Sequence, residues 1–475
     1  MNRQIRVNKS QDQQTVVALC TPQGSGALAL VRLCGQDVFE VVNKFAKLSG
    51  DKILLEQQTH TICHGFVVDP GGAPDKIIDE VLFFLMRGPK TFTGQDTIEI
   101  SCHNNQFIVE KVIQIACKFG ARLACPGEFS RRAVLNDKIN LIQAEAINDL
   151  IHAQNELALK KSMEQLHGSL SHFLLGLETD LVRLLAFVEA SFEFIEEETK
   201  DIDLNEQIKI YSSNIIKKLS EIKVNFNQQK QIRQGIKIAL LGSVNVGKST
   251  LFNALLNQER AIVSEIEGTT RDSIESTIYK DGIFWTFIDT AGLRQSEDCI
   301  EKQGIERSLM QAQDSDLLLL VFDASQDLSE DQECRYKEII DLYTKKVIFV
   351  VNKIDQVGFD KNKFIKFLKN GEDVVAISAK ERSGVLDLLH VIAVKIKEIF
   401  SNGQSLFLLN QRQARLINEI ELKIEFIVKN QLDTLEYELV AYQLKEILEL
   451  MSELTGKNVN ERVLDSVFNE FCVGK

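Results

Sequence analysis

Long apolar runs are missing from this chain of 475 residues. None reaches the ~18 residues that a membrane-spanning helix needs. Apolar residues still make up 44% of the sequence, so they must go into packed cores. The opening stretch, Met1 to Ser10, is polar and lacks the apolar centre of a signal peptide. A cytosolic chain without membrane attachment is expected. Only five prolines are present, too few for a proline-rich linker, and no internal repeat is visible. The nine cysteines include no CxxC pair. Reduced, mostly buried thiols are expected. Basic residues are also short: 55 Lys and Arg against 68 Asp and Glu, for a net charge of −13. Broad, sequence-independent binding of RNA or DNA needs the opposite balance. A local basic patch remains compatible with it.

The length is too great for one core and suggests two to four domains. Residues 1–137 hold short apolar runs, Ala27–Leu33 and Val81–Met86 among them, separated by turn signals such as Pro70-Gly71-Gly72. This reads as mixed α and β. Residues 138–231 read as helix, with Leu177, Leu181, Leu184, Leu185, Val188 and Phe192 at helical spacing. Residues 232–400 alternate β-rich runs with helical patterns. The runs are Ile236–Leu241, Phe284–Ile288, Leu317–Phe322, Val347–Val351 and Val374–Ile377. Such alternation predicts a mostly parallel sheet covered by helices. From 401 to 475 the helical period returns, with Val440, Leu444, Ile447, Leu448 and Met451 on one face. Helix on both sides of an α/β unit predicts an insertion into one discontinuous helical domain.

The strongest chemical signal is Gly242-Ser243-Val244-Asn245-Val246-Gly247-Lys248-Ser249. It fits G-x-x-x-x-G-K-[ST] between an apolar strand and a helical pattern. Its glycines let backbone N–H groups wrap phosphates. Lys248 would contact the β- and γ-phosphates, and the Ser249 hydroxyl would ligate Mg²⁺. Asp289-Thr290-Ala291-Gly292 follows the next strand. Its aspartate can hold Mg²⁺ through water, and the Gly292 N–H can sense a γ-phosphate. Between them lies Gly268-Thr269-Thr270-Arg271-Asp272. Thr270 could close on Mg²⁺ only when a γ-phosphate is present; alone, the segment would pass for a polar turn. Asn352-Lys353-Ile354-Asp355 points to guanine. Asp355 can accept from the base's N1–H and exocyclic amine, which adenine does not offer there. Ser378-Ala379-Lys380 can contact O6 through backbone N–H. All five elements fall at strand ends, where open α/β sheets bind ligands. Expected GTP contacts run over Asn245, Val246, Gly247, Lys248, Ser249 and Thr250. They continue through Ser264, Glu265, Ile266, Glu267, Gly268, Thr269 and Thr270, then Asp289, Thr290, Ala291 and Gly292. Asn352, Lys353, Asp355, Ser378, Ala379 and Lys380 complete the set.

The catalytic residues are less ordinary. Ras-like GTPases orient the attacking water with a glutamine after D-x-x-G. Here that position is Leu293, which cannot. Glu301, in the acidic stretch Glu297–Glu301, could orient or activate water instead, or be a solvated surface carboxylate. Asn245 could ligate a monovalent cation beside the phosphates, offsetting developing charge, or simply fix the loop.

Together these residues resemble the MnmE (TrmE) family of tRNA-modification GTPases. The resemblance spans nearly the whole chain. It takes in Thr21-Pro22 and Gly24 with Ala27–Gly35, then Phe92-Thr93-Gly94-Gln95-Asp96. Pro126-Gly127-Glu128-Phe129-Ser130-Arg131-Arg132-Ala133 follows, running on to Asn136-Asp137-Lys138. Gln143-Ala144-Glu145-Ala146 and the terminal Phe471-Cys472-Val473-Gly474-Lys475 complete it.

The resemblance implies an amino-terminal domain, residues 1–137, that forms a homodimer. It also implies binding of a 5-formyl- or 5,10-methylene-tetrahydrofolate as one-carbon donor. The matching folate positions are Arg32, Glu99, Lys138 and Lys475. From the residues alone, Arg32 on an apolar strand is suggestive, since a buried charge needs a partner; Glu99 and Lys138 read as surface. The resemblance also implies K⁺ held by Asn245, Ser264, Thr269 and the Ile266 carbonyl, with Mg²⁺ at Ser249 and Thr270. It places Glu301 at the family's catalytic glutamate. It implies a partner, MnmG, which uses FAD. The pair installs an aminomethyl or carboxymethylaminomethyl group on the wobble uridine of certain tRNAs. Cys472 falls near the folate site, where a catalytic thiol is conceivable; a cysteine beside Phe471 is otherwise expected to be buried and inert. The candidates for the RNA contact are Arg131, Arg132 and Lys138, or a surface completed only by MnmG. A ribosome-assembly GTPase is the first alternative, set against one phosphate loop and an acidic chain. A GTP-dependent scaffold without catalysis is the second.

Overall fold

The computed structural model describes residues 12–22, 24, 26–50, 52–71, 76–194, 204–222, 235–243, 245–258, 274–289, 313, 315–326, 329–343, 346–357, 374–401, 407–430, 437–458 and 461–474. The first sheet is built from β1 (Val16–Leu19), β2 (Leu28–Cys34), β3 (Ala46–Leu48), β4 (Thr61–Asp69), β5 (Lys76–Met86), β6 (Thr97–His103) and β7 (Arg122–Leu123). Its order is β3-β4-β5-β6-β2-β1-β7. Pairing is antiparallel except between β1 and β7. Helices α1 (Val38–Asn43) and α2 (Gln106–Lys118) contribute apolar side chains to the sheet's core. Val38, Phe39, Val112 and Ile115 pack with Val31, Leu33, Phe83 and Ile100. A short helix, α3 (Glu128–Leu135), follows, and then α4 (Leu141–Ile151), α5 (Glu156–Leu166), α6 (Ser169–Phe194) and α7 (Leu204–Ile222).

The second sheet comprises β8 (Ile236–Leu241), β9 (Ile274–Lys280), β10 (Ile283–Asp289), β11 (Leu317–Asp323), β12 (Val347–Asn352) and β13 (Val374–Ala376). Its helices are α8 (Lys248–Gln258), α9 (Glu330–Tyr343) and α10 (Val385–Ser401). Last come α11 (Gln411–Asn430), α12 (Tyr437–Thr455) and α13 (Glu461–Asn469). The chain divides into two compact units. One is Met1–Asn148 with Glu164–Lys217 and Arg415–Lys475; the other is Asp149–Met163 with Lys218–Ala414. An α/β unit thus interrupts a unit that combines the first sheet with helices.

In the first unit, α6 packs against α12. Leu177, Leu181, Leu184 and Val188 are buried, as are Val440, Leu444, Ile447 and Met451, so the helical spacing in the sequence marks a real seam. In the second unit the strand order is β13-β12-β11-β8-β10-β9, parallel except for the β9–β10 pair. The central strands β11 and β12 are almost wholly apolar because both faces are covered. Ile236, Ile238 and Leu240 face a core shared with α8 and α10, whereas Ala239 and Leu241 face the core of α9.

The charged residues of α3 turn inward. Arg132 is fully buried, against the expectation that it contacts RNA. Its guanidinium bonds the Glu128 carboxylate at 2.8 Å, Gln95 Oε1 at 2.9 Å and the Gln14 carbonyl at 2.8 Å. Arg122 grips the same carboxylate with two bonds, of 2.6 and 2.7 Å. Arg131 is mostly covered and pairs with Asp12 and Asp465. A buried charge must be compensated on the spot, and α3 supplies Glu128 one turn before Arg132. Burial pushes the Glu128 carboxyl up, but bonds from Arg122, the Cys125 N–H and Arg132 outweigh it, so the group lies below its ordinary 4.5. A lowered folded-state value stabilises the fold above the unfolded value. That contribution is lost as pH falls through the folded one.

Glu128→Gln should therefore destabilise the chain by about 3–5 kcal/mol near neutral pH. Urea midpoints measured from about pH 7 down to about pH 3 should fall less steeply for the variant than for the native chain. Parallel slopes below about pH 4.5 would show that Glu128 carries no such linkage.

Candidate nucleotide site

The loop that joins β8 to α8 is shaped by three residues with left-handed backbone. These are Gly242 (φ 156°), Asn245 (φ 64°) and Gly247 (φ 96°). A Cβ on Gly247 would overlap Asn352 Nδ2, and one on Gly242 would strike the Val321 carbonyl. Asn245 is exposed, and asparagine tolerates this backbone. Lys248 Nζ donates to the carbonyls of Gly242 and Ser243, both at 2.8 Å. Ser249 and Thr250 are exposed on the first turn of α8. A lysine, a turn of backbone amides and a helix N-terminus together make an anion site.

The base side is assembled from β11, β12 and β13. Asn352 ends β12 and is buried. Its Nδ2 donates to the Val246 carbonyl at 2.8 Å, and its Oδ1 accepts from the Ala379 N–H at 2.9 Å. Lys353 adopts φ 65° and pairs with Asp323 at 2.6 Å. Burial raises the Asp323 carboxyl, but bonds from Lys353 and Ser325 outweigh it and hold the group below its ordinary range. Ser378 Oγ donates to Asp355 Oδ1 at 2.6 Å, fixing the carboxylate's rotation, and accepts from the Glu381 N–H. Asp355 is exposed. Sequence reasoning missed Asp323, although an acid closing the apolar run Leu317–Phe322 was a visible signal.

Asp289 closes β10, beside Leu240 of β8. Ser249 offers a hard oxygen donor, the chemistry suited to Mg²⁺; the Asp289 side chain lies outside the described residues. The expectations for Ser264, Glu265, Ile266, Glu267, Gly268, Thr269, Thr270, Thr290, Ala291, Gly292, Leu293, Glu301 and Lys475 lie outside the described residues. Lys380 is exposed just after Ala379.

In the other unit, β2 and β6 are in register at Arg32 and Glu99. Their side chains pair at 2.7 Å, and the Arg32 guanidinium lies 5.3 Å from the Phe129 ring centre. Glu99 is mostly covered, not a plain surface residue. Lys138 is exposed and donates to the Pro89 carbonyl at 2.7 Å. The carboxyl-terminal tail docks beside β1, with Cys20 Sγ 3.2 Å from the Gly474 carbonyl. Ala18 of β1 is in register with Arg32 of β2, so the tail docks on the strand next to the arginine's. A cationic and an anionic group on neighbouring strands fit a ligand with both kinds of polar atom, as a folate has. Cys472 is exposed, contrary to the expected burial. Its neighbour Phe471 takes the inward position, 5.1 Å from the Phe468 ring. Its carbonyl accepts from the Gly127 N–H. The described cysteines form no disulfide, and only Cys34 and Cys102 are buried, fewer than expected.

Comparison with known proteins covers both units. Residues 15–138 match the family described as GTP-binding protein TrmE N-terminus, and residues 141–472 match the MnmE helical domain. The chain is 35% identical to the tRNA modification GTPase MnmE of Lachnoclostridium phytofermentans, over 97% of this chain and 99% of that protein. Identity to the Bacillus subtilis protein of the same name is 34%, over 97% and 100%. To that of Aquifex aeolicus it is 36%, over 98% and 100%.

Two substitutions test the site. Gly247→Ala should abolish measurable GDP binding, because the added Cβ meets the Asn352 amide that bonds Val246 and Ala379, at a left-handed backbone that alanine disfavours. Asp355→Asn should weaken GDP by about 10- to 100-fold, the loss of charge-assisted bonds, and should favour a xanthine base, whose C2 carbonyl accepts from the new amide. Calorimetric titration with GDP and xanthosine diphosphate reads both.

Proposed function

The chain belongs to the MnmE (TrmE) family of tRNA modification GTPases, and from that premise we propose a potassium-stimulated GTP hydrolase that modifies the wobble uridine. GTP hydrolysis in tRNA modification is the family's activity. The observation that carries the reading is the bond pair of Asn352, which joins the phosphate loop to the base loop.

Lys248 and the amides of the loop would bind the β- and γ-phosphates. Asp355, oriented by Ser378, selects guanine, and Lys353, steadied by Asp323, covers the ring. Ser249 and Thr270 would hold Mg²⁺, which offsets phosphate charge when bound. Asn245, with Ser264, Ile266 and Thr269, would hold K⁺, which supplies the positive charge that an arginine finger supplies elsewhere. The exposure and left-handed backbone of Asn245 are compatible with that role. Glu301 would orient the attacking water, since Leu293 cannot.

Arg32, Glu99, Lys138 and Lys475 would hold the tetrahydrofolate, which supplies the one-carbon unit. The docked tail and the Arg32–Glu99 pair support this assignment. Cys472, exposed beside that tail, is accessible for thiol chemistry. We assign MnmG and tRNA as partners, a homodimer through the amino-terminal domain and a cytoplasmic location. Among the described residues no helix is long and apolar enough to cross a membrane.

GTP turnover should be several-fold faster in K⁺ than in Na⁺, and Glu301→Ala should abolish it while GDP affinity is kept. Equal, negligible rates in both salts would instead support a non-catalytic scaffold. Cells without this protein should lose the wobble-uridine modification; unchanged modification would remove the tRNA role and leave the GTPase.

A further inference from the structure

Tyr336 of α9 is buried, 5% exposed, with its ring 4.8 Å from that of Phe322. Yet its hydroxyl reaches the phosphate loop. It accepts from the Ser243 N–H at 2.8 Å and lies 2.9 Å from Ser243 Oγ. The Gly242 carbonyl and the Ser243 N–H belong to one planar peptide unit. Lys248 Nζ binds the carbonyl end of that unit, and Tyr336 binds its N–H end. Two bonds at opposite ends of one plane fix its rotation. The Ser243 carbonyl, the second acceptor for Lys248, follows on the same residue. Burial pushes the phenol up, against the opposing bonds from Ser243, so the group stays a neutral hydroxyl at working pH.

We infer that Tyr336 is a positioning residue for the phosphate loop, holding the Gly242–Ser243 peptide plane so that Lys248 is aimed at the β- and γ-phosphates. This rests on the loop's role as a phosphate site, which GDP binding by the native chain tests separately. The loop is thereby ordered before the nucleotide arrives, so binding loses less entropy. The contribution is confined to phosphates that Lys248 reaches, and GMP lacks them.

The test compares GDP and GMP affinities by competition against a fluorescent GDP analogue, in the full chain. Tyr336→Phe keeps the ring against Phe322 and removes the hydroxyl. GDP affinity should fall about five- to tenfold, the size of a lost buried hydrogen bond, with GMP affinity unchanged within about twofold. Ser243→Ala, which keeps the amide bond and loses only Oγ, should cost GDP about two- to threefold. The double variant should be no weaker than Tyr336→Phe alone, because the hydroxyl is the shared partner. GDP affinity retained within twofold would overturn the inference. An equal fall for GDP and GMP would also overturn it, since that marks a general packing role. If the phenylalanine chain does not fold, Ser243→Ala decides alone: a loss for GDP and none for GMP supports the inference, and equal effects on both refute it.

Discussion

The nucleotide site depends on one buried carboxamide. Asn352 donates to the Val246 carbonyl in the phosphate loop and accepts from the Ala379 N–H in the last βα loop. One side chain so ties the loop after β8 to the loop after β13. Both bonds are buried, where an unmade bond costs more than a made one contributes. A change of length or charge at this position would leave two backbone groups without a partner. The restriction on Gly247 follows from the same contact, because the space beside it is already filled by the amide. The loop is glycine-rich on two counts, its own backbone angles and this neighbour.

The first unit solves a similar problem with charge. Glu128 accepts from Arg122 and Arg132 at once, and Arg132 carries the link on to Gln95, Gln14 and Cys34. The pairing brings β7, the loop before β6 and the edge of β2 against α3. A buried ion network adds little net stability over an apolar core. Its geometric demands are strict, however, and they fix where α3 lies. Gly127 starts that helix with φ 62°, and its missing side chain leaves room for Phe468 and Phe471. The tail from α13 therefore closes on the same helix, and Gly474 reaches β1. A motif split between residue 127 and the terminus is one packed unit in space.

Legibility followed burial symmetry. The parallel strands of the second sheet were readable nearly to the residue, since runs buried on both faces are apolar throughout. Ile236–Leu241 agrees at both ends with β8. The edge strand β9 escaped because its mixed Ile-Glu-Ser-Thr-Ile-Tyr-Lys carries no continuous apolar run. The motif residues stood out for a different reason: ligand chemistry constrains residue type. Partners that act on those residues from elsewhere in the chain did not. Asp323 is 30 positions from Lys353, and Ser378 is 23 from Asp355. Arg132 was misjudged because a charge in sequence carries no mark of burial. Its signal was Glu128 at i−4, which also fits a surface helix pair.

Base selection shows why such remote partners matter. An exposed carboxylate in water makes hydrogen bonds of little net worth, because water competes for every lone pair. Asp355 is exposed, so its charge alone would discriminate poorly. What it gains from Ser378 is direction. The hydroxyl that donates to Oδ1 also accepts from the Glu381 backbone, so the carboxylate is tied to the loop that presents Ala379. Ala379 is in turn held by Asn352, three residues before Asp355. These bonds close a ring through two loops, and a ligand must match all of its groups together. Guanine offers two donors toward the carboxylate and an acceptor toward the loop amides; adenine reverses that pattern and leaves each group facing its own kind. On the proposed reading, selectivity needs both the carboxylate and the closed ring that prevents it from turning away.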